Sequence, residues 1–253
     1  TQLNNQFLKP EITSSWETGI SVQAFKNRLG LDVTYYDNVS RNQIINIPVS
    51  SSFGYDSKVI NAGKINNKGI EVTLSGKPIS SRGFEWNSTL NWSKNTNKVI
   101  ELATGVNTFQ LTNSLVTVVA REGESYGQIL GNDFIYAADG QKVIKADGTY
   151  DRAQQLTSLG SVLPKYMFGF QNSFSYKNFN LGFLIDGRVG GKFFSQTYKV
   201  AMYAGILDKT AAANVRETGV VLEGVQAQVT YNGDGTYQVS DAVPNTTRIT
   251  AQS

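Results

Sequence analysis

Long runs of strict apolar–polar alternation constrain this chain more than any other feature, because a period of two belongs to an extended strand with two unlike faces. In Thr13 to Phe25 one face carries Trp16, Thr18, Ile20, Val22 and Ala24, and the other Ser15, Glu17, Gly19, Ser21 and Gln23. After Lys26-Asn27-Arg28 the pattern resumes, with Leu29, Leu31, Val33 and Tyr35 alternating with Gly30, Asp32, Thr34 and Tyr36. A second pair sets Ile70, Val72 and Leu74 against Glu71, Thr73 and Ser75. It turns at Ser80-Ser81-Arg82-Gly83 and returns with Phe84, Trp86, Ser88, Leu90 and Trp92 against Glu85, Asn87, Thr89, Asn91 and Ser93. A third pair sets Tyr166, Phe168, Phe170, Asn172 and Phe174 against Met167, Gly169, Gln171, Ser173 and Ser175. It turns at Lys177-Asn178 and continues with Phe179, Leu181, Phe183 and Ile185 against Asn180, Gly182, Leu184 and Asp186. Three antiparallel hairpins are therefore expected, with short turns at one end and long connections at the other: Ser40 to Ile65, Lys94 to Lys165, and everything after Arg188. The first and third turns resemble each other, Ala24-Phe25-Lys26-Asn27-Arg28 beside Ser175-Tyr176-Lys177-Asn178-Phe179.

A soluble β-sandwich also alternates, with its apolar face inside. Three features favour lipid on that face. The polar face is built from Ser, Thr, Gly, Asn and Gln with a few acids, whereas the solvent face of a soluble sheet is richer in Lys and Glu. The apolar faces as read here carry no charge, and a Lys or Arg against lipid costs about 2–4 kcal/mol at the bilayer midplane. The strands are also long: Thr13 to Phe25 is 13 residues, against ~9–11 for a bilayer-crossing strand and ~5–6 for an average soluble one. Phe84 and Trp92 are separated by roughly 19 Å in height on a strand tilted ~45°, close to the ~25 Å between the aromatic girdles of a membrane barrel. Tyr166 and Tyr176 bracket their strand in the same way.

Composition removes other classes. The chain has no His and no Cys, which excludes Ser-His-Asp and Cys-His catalysis, Cys/His zinc sites and disulfides. No cofactor is expected. A formal charge of +3, with 23 basic and 20 acidic residues, is too small an excess to argue for nucleic acid. No apolar run reaches the ~20 residues of a spanning helix. The polar opening, Thr1 to Gln6, lacks the form of a signal peptide, so the chain reads as a segment of something longer.

Leu8-Lys9-Pro10-Glu11, Ser15-Trp16-Glu17 with Gly19, Asn27-Arg28-Leu29, Thr34-Tyr35-Tyr36 and Gln43-Ile44 carry a family resemblance. It is strongest across Asn61-Ala62-Gly63-Lys64-Ile65-Asn66-Asn67-Lys68-Gly69-Ile70-Glu71. It recurs at Asn91-Trp92-Ser93, Arg121-Glu122-Gly123-Glu124, Tyr126-Gly127, Phe183 to Arg188, Gly190-Gly191-Lys192 and Asn245-Thr246-Thr247-Arg248. Together these segments resemble the C-terminal barrel of SusC/RagA-type TonB-linked outer-membrane transporters. The resemblance implies an all-β fold: about six antiparallel strands of a 22-stranded transmembrane barrel with long extracellular loops, residues 1–253 all belonging to the barrel domain. It implies a SusD-like surface lipoprotein partner, energy from TonB, an oligosaccharide or peptide substrate, and the outer membrane of a Bacteroidetes-like Gram-negative cell. The plug domain and TonB box are expected elsewhere, as is the remainder of the barrel, because six strands close no barrel of that width.

The candidate site residues follow from the faces. Glu17, Asp32, Glu71, Glu85, Asn87, Asn91, Asp186 and Arg188 are expected toward the lumen. Trp16, Tyr35, Phe84, Trp86, Trp92, Tyr166, Phe168, Phe170, Phe179 and Phe183 are expected toward lipid or its girdles. No catalytic or metal site is assigned. Asn232-Gly233-Asp234-Gly235 lacks the later Glu of a calcium loop and predicts a tight hairpin, as does Ala146 to Tyr150. Tyr198 to Ala213 predicts a short helix weakened by Gly205. Tyr126 to Asp139 is aromatic enough to fold over the rim. The alternatives are a soluble or cell-surface β-sandwich that binds carbohydrate, and a carboxylate-dependent glycosidase.

Overall fold

The computed structural model describes residues 2–3, 5–48, 54–55 and 57–250. The stretch 49–53 of the first long connection, residue 56, and the last three residues of the final one lie outside the described residues. The described fold is all-β and predominantly antiparallel, with short helices in one region only. It divides into two compact bodies: residues 1–113, 117–129 and 160–192, and residues 114–116, 130–159 and 193–253.

The first body is organised by six long strands: β1 (Ile12–Ala24), β2 (Leu29–Arg41), β3 (Lys64–Ser81), β4 (Phe84–Glu101), β5 (Pro164–Tyr176) and β6 (Phe179–Gly190). They form one antiparallel sheet in the spatial order β6-β5-β4-β3-β2-β1. Three consecutive hairpins form as expected, and the sheet joins them by pairing β2 with β3 and β4 with β5. Backbone bonds also tie the first turn to β3, Lys77 N–H donating to the Arg28 carbonyl (2.8 Å), and the third turn to the second, Lys177 N–H donating to the Gly83 carbonyl (2.9 Å). Gly83, at φ 84°, occupies the left-handed region at the second position of its turn, where a glycine carries no steric penalty. The likeness of the first and third turns is partial. Lys26 and Lys177 both adopt positive φ (56° and 53°), but the first turn takes four residues between its strands and the third only two.

One correction to the sequence reading concerns strand length. β3 and β4 each run for 18 residues, so the connections begin after Arg41 and Glu101 and the last one after Gly190. At ~3.3 Å per residue and ~45° tilt, 18 residues rise roughly 42 Å, well beyond a ~25 Å apolar band. Alternation ended the reading at Ile70 and Trp92 because both faces become polar there, at Asn66-Asn67-Lys68 and Lys94 to Lys98, while backbone pairing continues. β3 also contains a β-bulge. Gly76 pairs with Ser88 and Ile79 with Trp86, so β3 holds one extra residue at Lys77-Pro78. Proline has no N–H to give a ladder and is confined to such places. The extra residue shifts the phase by one, which returns Ile79 to the face of Leu74 and Trp86.

Where the long strands end, a small core forms from Val99, Leu102 and Ala120, with Phe109 and Leu111 against it. Val99 is held by the Arg121-Glu122-Gly123-Glu124 turn, donating to the Glu124 carbonyl and accepting from Gly123 N–H. Two family-like segments meet across the sheet end. Asn61 accepts from Lys9 N–H (2.6 Å) and donates to the Lys9 carbonyl (2.7 Å). Glu11 accepts from Ile44 N–H (2.6 Å).

The second body has its own core. Ile135, Ala137, Val143, Ala153 and Val225 are buried together, with Val229, Tyr231, Tyr237 and Val239 packed against them. Tyr126 to Asp139 thus supplies buried core residues at Ile135 and Ala137. The expected hairpin forms between strands Val225–Tyr231 and Tyr237–Pro244 around Asn232 to Thr236, and Lys145 N–H closes onto the Thr149 carbonyl at the second expected turn. The expected helix is broken. Helix α1 (Gln196–Tyr203) starts at Ser195, whose Oγ accepts from Tyr198 N–H (3.1 Å), and ends before Gly205 at φ 69°. Only short helical turns follow, at Asp208–Ala211, Ala212–Asn214 and Val215–Thr218.

Candidate functional site

The strand register fixes which side chains share a face, because residues directly paired across antiparallel strands point the same way. Ile20, Val33, Val72, Trp92, Phe168 and Gly187 form one row, and Val22, Leu31, Leu74, Leu90, Phe170 and Ile185 the next. Trp16, Tyr35, Phe84, Trp86, Tyr166, Phe179 and Phe183 lie on this same face. Aromatic contacts gather at its two ends. Toward the short turns, Phe174 lies 5.6 Å from Trp86, 6.2 Å from Phe183 and 6.4 Å from Phe84. Toward the long connections, Trp16 lies 5.7 Å from Tyr35 and Trp92 6.2 Å from Tyr166. Between them, the row of Val22, Leu31, Leu74, Leu90, Phe170 and Ile185 is aliphatic but for Phe170. The face then ends on charge: Asp37 pairs with Trp16 on one side and Lys68 on the other, and Lys94 pairs with Ile70.

A buried amide stands on the apolar face. Asn172 is only 2% exposed, opposite Ser88 and Phe183, and its Oδ1 accepts the indole N–H of Trp86 at 3.0 Å. An indole N–H without water needs such an acceptor, so this amide satisfies the tryptophan.

Glu17, Asp32, Glu71, Glu85, Asn87, Asn91, Asp186 and Arg188 all lie on the opposite face. Register spreads them over it. One row reads Asp186, Gly169, Asn91, Thr73, Asp32 and Ser21, with Thr73 Oγ1 donating to Asn91 Oδ1 (2.9 Å). The next reads Arg188, Met167, Ser93, Glu71, Thr34 and Gly19. Glu85 stands apart near the turns, held by Asn87 Nδ2 (2.9 Å) and Lys77 Nζ (3.3 Å). Two shallow troughs share Glu71. One, of about 510 Å³, contains Asn91, Gln171 and Asp186; the other, of about 480 Å³, contains Glu17, Tyr36, Asn38, Asn67 and Asn95.

Tyr36, Asn38, Asn67, Asn95 and Asn97 were missed as site candidates. Tyr36 lies across Gly69 and donates to Asn95 Oδ1 (3.2 Å), two strands away. A Cβ at Gly69 would stand 2.5 Å from the Tyr36 hydroxyl oxygen and 2.6 Å from the Lys94 carbonyl. Asn97 Nδ2 donates to Asn67 Oδ1 (2.7 Å), and Asn97 Oδ1 accepts from Tyr126 N–H (2.9 Å). The available signal was compositional: Asn-rich ends of β3 and β4 and a glycine opposite a tyrosine. Among the described residues no group of three or more acids is gathered as a metal site.

Comparison with known proteins agrees with this architecture. The family described as TonB dependent receptor-like, beta-barrel matches residues 1–252. TonB-dependent receptor P3 of Formosa agariphila is 26% identical over 235 residues, covering 83% of this chain and 23% of that protein. TonB-dependent receptor SusC of Bacteroides thetaiotaomicron is 22% identical over 254 residues, covering 91% of this chain and 25% of that protein. The chain therefore spans about a quarter of the length of these relatives. Among solved structures, the RagAB peptide transporter superposes with a TM-score of 0.58 at 22% identity, over 70% of this chain and 21% of its own. The resemblance to SusC/RagA-type proteins read from the sequence is borne out.

Proposed function

The chain belongs to the TonB dependent receptor-like β-barrel family, and on that premise we propose that its six long strands form one sector of an outer-membrane import barrel. In this reading the face of Trp16, Tyr35, Phe84, Trp86, Trp92, Tyr166, Phe168, Phe170, Phe179 and Phe183 meets lipid. The face of Glu17, Asp32, Glu71, Glu85, Asn87, Asn91, Asp186 and Arg188 lines the lumen. The barrel has 22 strands, completed by other parts of the same polypeptide, which also supply the plug and the TonB contact. The whole protein imports a bulky oligosaccharide or peptide, captured with a SusD-like lipoprotein, across the outer membrane of a Bacteroidetes-like cell. It catalyses no reaction on its cargo.

The observation that carries this reading is the uncovered apolar face. Ile20 is 61% exposed, Leu181 66% and Ile185 53%, on strands β1 and β6. A soluble sandwich would bury that face against a second sheet. In lipid it needs no cover, whereas the open backbone edges of β1 and β6 do need further strands. No two carboxylates of the polar face are directly paired across neighbouring strands, and Asp32 and Asp186, which share a row, lie four strands apart.

The test is uptake by cells carrying the full-length protein. Accumulation of a labelled oligosaccharide or peptide cargo is expected to stop when TonB is deleted and when the surface lipoprotein is removed. Accumulation that persists without TonB would overturn the import reading.

A further inference from the structure

The face that carries the aromatic residues continues past them toward the long connections. There Lys94 pairs with Ile70, Thr96 with Lys68, and Lys98 with Asn66. Lys68 thus stands directly beside Thr96, and Lys94 and Lys98 are its two diagonal neighbours, at ~7–8 Å between Cα atoms. All three lysines are exposed. None forms an ion pair within 4 Å among the described residues. The single acid in their three rows is Asp37, beside Lys68, and it accepts from Asn66 Nδ2. Three like charges so close, with one acid among them, repel one another unless an anion sits between them. The lysines are level with the aromatic residues: Tyr35 shares the row of Lys94, and Trp16 that of Lys68. The row of Ile20, Val33, Val72, Trp92 and Phe168 follows on the same face.

We propose that Lys68, Lys94 and Lys98 hold the phosphate of a lipid A-type glycolipid, whose acyl chains lie along the apolar rows. The proposal rests on the membrane reading above, which turns this face to lipid and the long connections to the cell exterior. Each lysine is a compact charge on a flexible stem, so three stems rooted at diagonal positions converge on one phosphate. Interfacial aromatic rings mark the height of lipid headgroups, which is where these amines stand. Thr96 and the Asp37–Asn66 pair lie beside the lysines and offer hydroxyl, carboxylate and amide partners to a sugar. A phospholipid carries the same phosphate without the sugar, and free phosphate carries neither sugar nor chains.

The test is native mass spectrometry of the purified full-length receptor in detergent, titrated with monophosphoryl lipid A, its dephosphorylated form, phosphatidylglycerol and inorganic phosphate. Monophosphoryl lipid A is expected to be retained at least about fivefold more tightly than the other two lipids, and inorganic phosphate is expected not to displace it. Lys68→Gln, Lys94→Gln and Lys98→Gln are each expected to weaken retention about fivefold, and the three together to remove one bound lipid A per receptor. Arginine at all three positions should preserve it, and Arg82→Gln with Lys177→Gln, at the short-turn end, should leave it unchanged. Equal retention by the wild type and the single and combined glutamine variants overturns the proposal. So does a dephosphorylated lipid A or phosphatidylglycerol that binds as tightly, displacement by inorganic phosphate, or an equal loss in the short-turn variant. Lipid retained without regard to these lysines sinks this proposal alone, whereas a receptor that retains no lipid of any kind sinks the membrane reading with it.

Discussion

The six-stranded sheet and the smaller body around Ile135 hold their residues in place by opposite means. In the sheet, order comes from continuous backbone pairing, and the large apolar side chains face outward on one side. In the smaller body, apolar residues turn inward: Ile135, Val143 and Val225 are almost wholly buried, and charged or polar turns close the outside. A body with a buried core does not depend on lipid. On the proposed membrane reading, the difference lies in where burial is achieved, by lipid in the first and by the chain itself in the second.

The largest expected effects separate these two modes. Phe170→Arg puts a charge in the middle of the apolar rows and is expected to cost about 2–4 kcal/mol of folding stability in lipid. Ile135→Ala removes a fully buried side chain and is expected to destabilise the smaller body by about 2–5 kcal/mol. Denaturant titration of the full-length protein in vesicles, read together with amide hydrogen exchange, checks both. Phe170→Arg should leave exchange at Val143 and Val225 unchanged, and Ile135→Ala should accelerate it there while leaving β4 and β5 protected. Equal acceleration in both regions for either variant would break the comparison.

An intermediate effect is expected at Gly69. Gly69→Ala forces a Cβ into the Tyr36 ring and the Lys94 carbonyl, an overpacking cost of about 1–3 kcal/mol. Denaturation midpoints should fall for Gly69→Ala, while Gly69→Ala with Tyr36→Ala should still feel the backbone carbonyl and recover only in part.

The smallest effect is a pH dependence of three turns in the smaller body. Asp139, Asp147 and Asp234 each accept from the backbone N–H and the side chain two residues on, at Gln141, Thr149 and Thr236. These hydrogen bonds hold all three carboxyls below the usual aspartate range. A depressed folded value means the stabilisation is complete above the unfolded aspartate value, about 4, and is lost as pH falls through the lower folded value. Exchange protection at Thr149 and Thr236 should therefore weaken below about pH 4. Asp147→Asn and Asp234→Asn keep an acceptor oxygen and should flatten that dependence at their own turns.

The alternating faces were legible because residues two apart on a strand share a side regardless of what pairs with it. All the apolar and polar residues assigned to opposite sides of the six strands fall on opposite sides in the register. The Asp-Gly turns were legible because a short local loop forms its bonds within a few residues. Other features depended on a neighbouring strand. The bulge at Lys77-Pro78 is visible only in the register with β4, although Pro78 marked the place. Asn172 reads as an exception to an apolar face until Trp86, 86 positions earlier in the chain, is found donating to it. The Tyr36–Gly69–Asn95 contact joins three strands, and the core around Ile135 joins Val143, Ala153 and Val225 across a wide span of sequence.

By itself, then, the order of residues determined that these segments are extended, which side of each is oily, and where the chain reverses. Those properties are local, set by backbone geometry and side-chain spacing. Strand length past the apolar band, the row in which each carboxylate stands, and the placing of Lys68 between Lys94 and Lys98 were decided only by tertiary structure. They depend on which distant partner supplies the next hydrogen bond or the next wall, and periodicity carries no information about that choice.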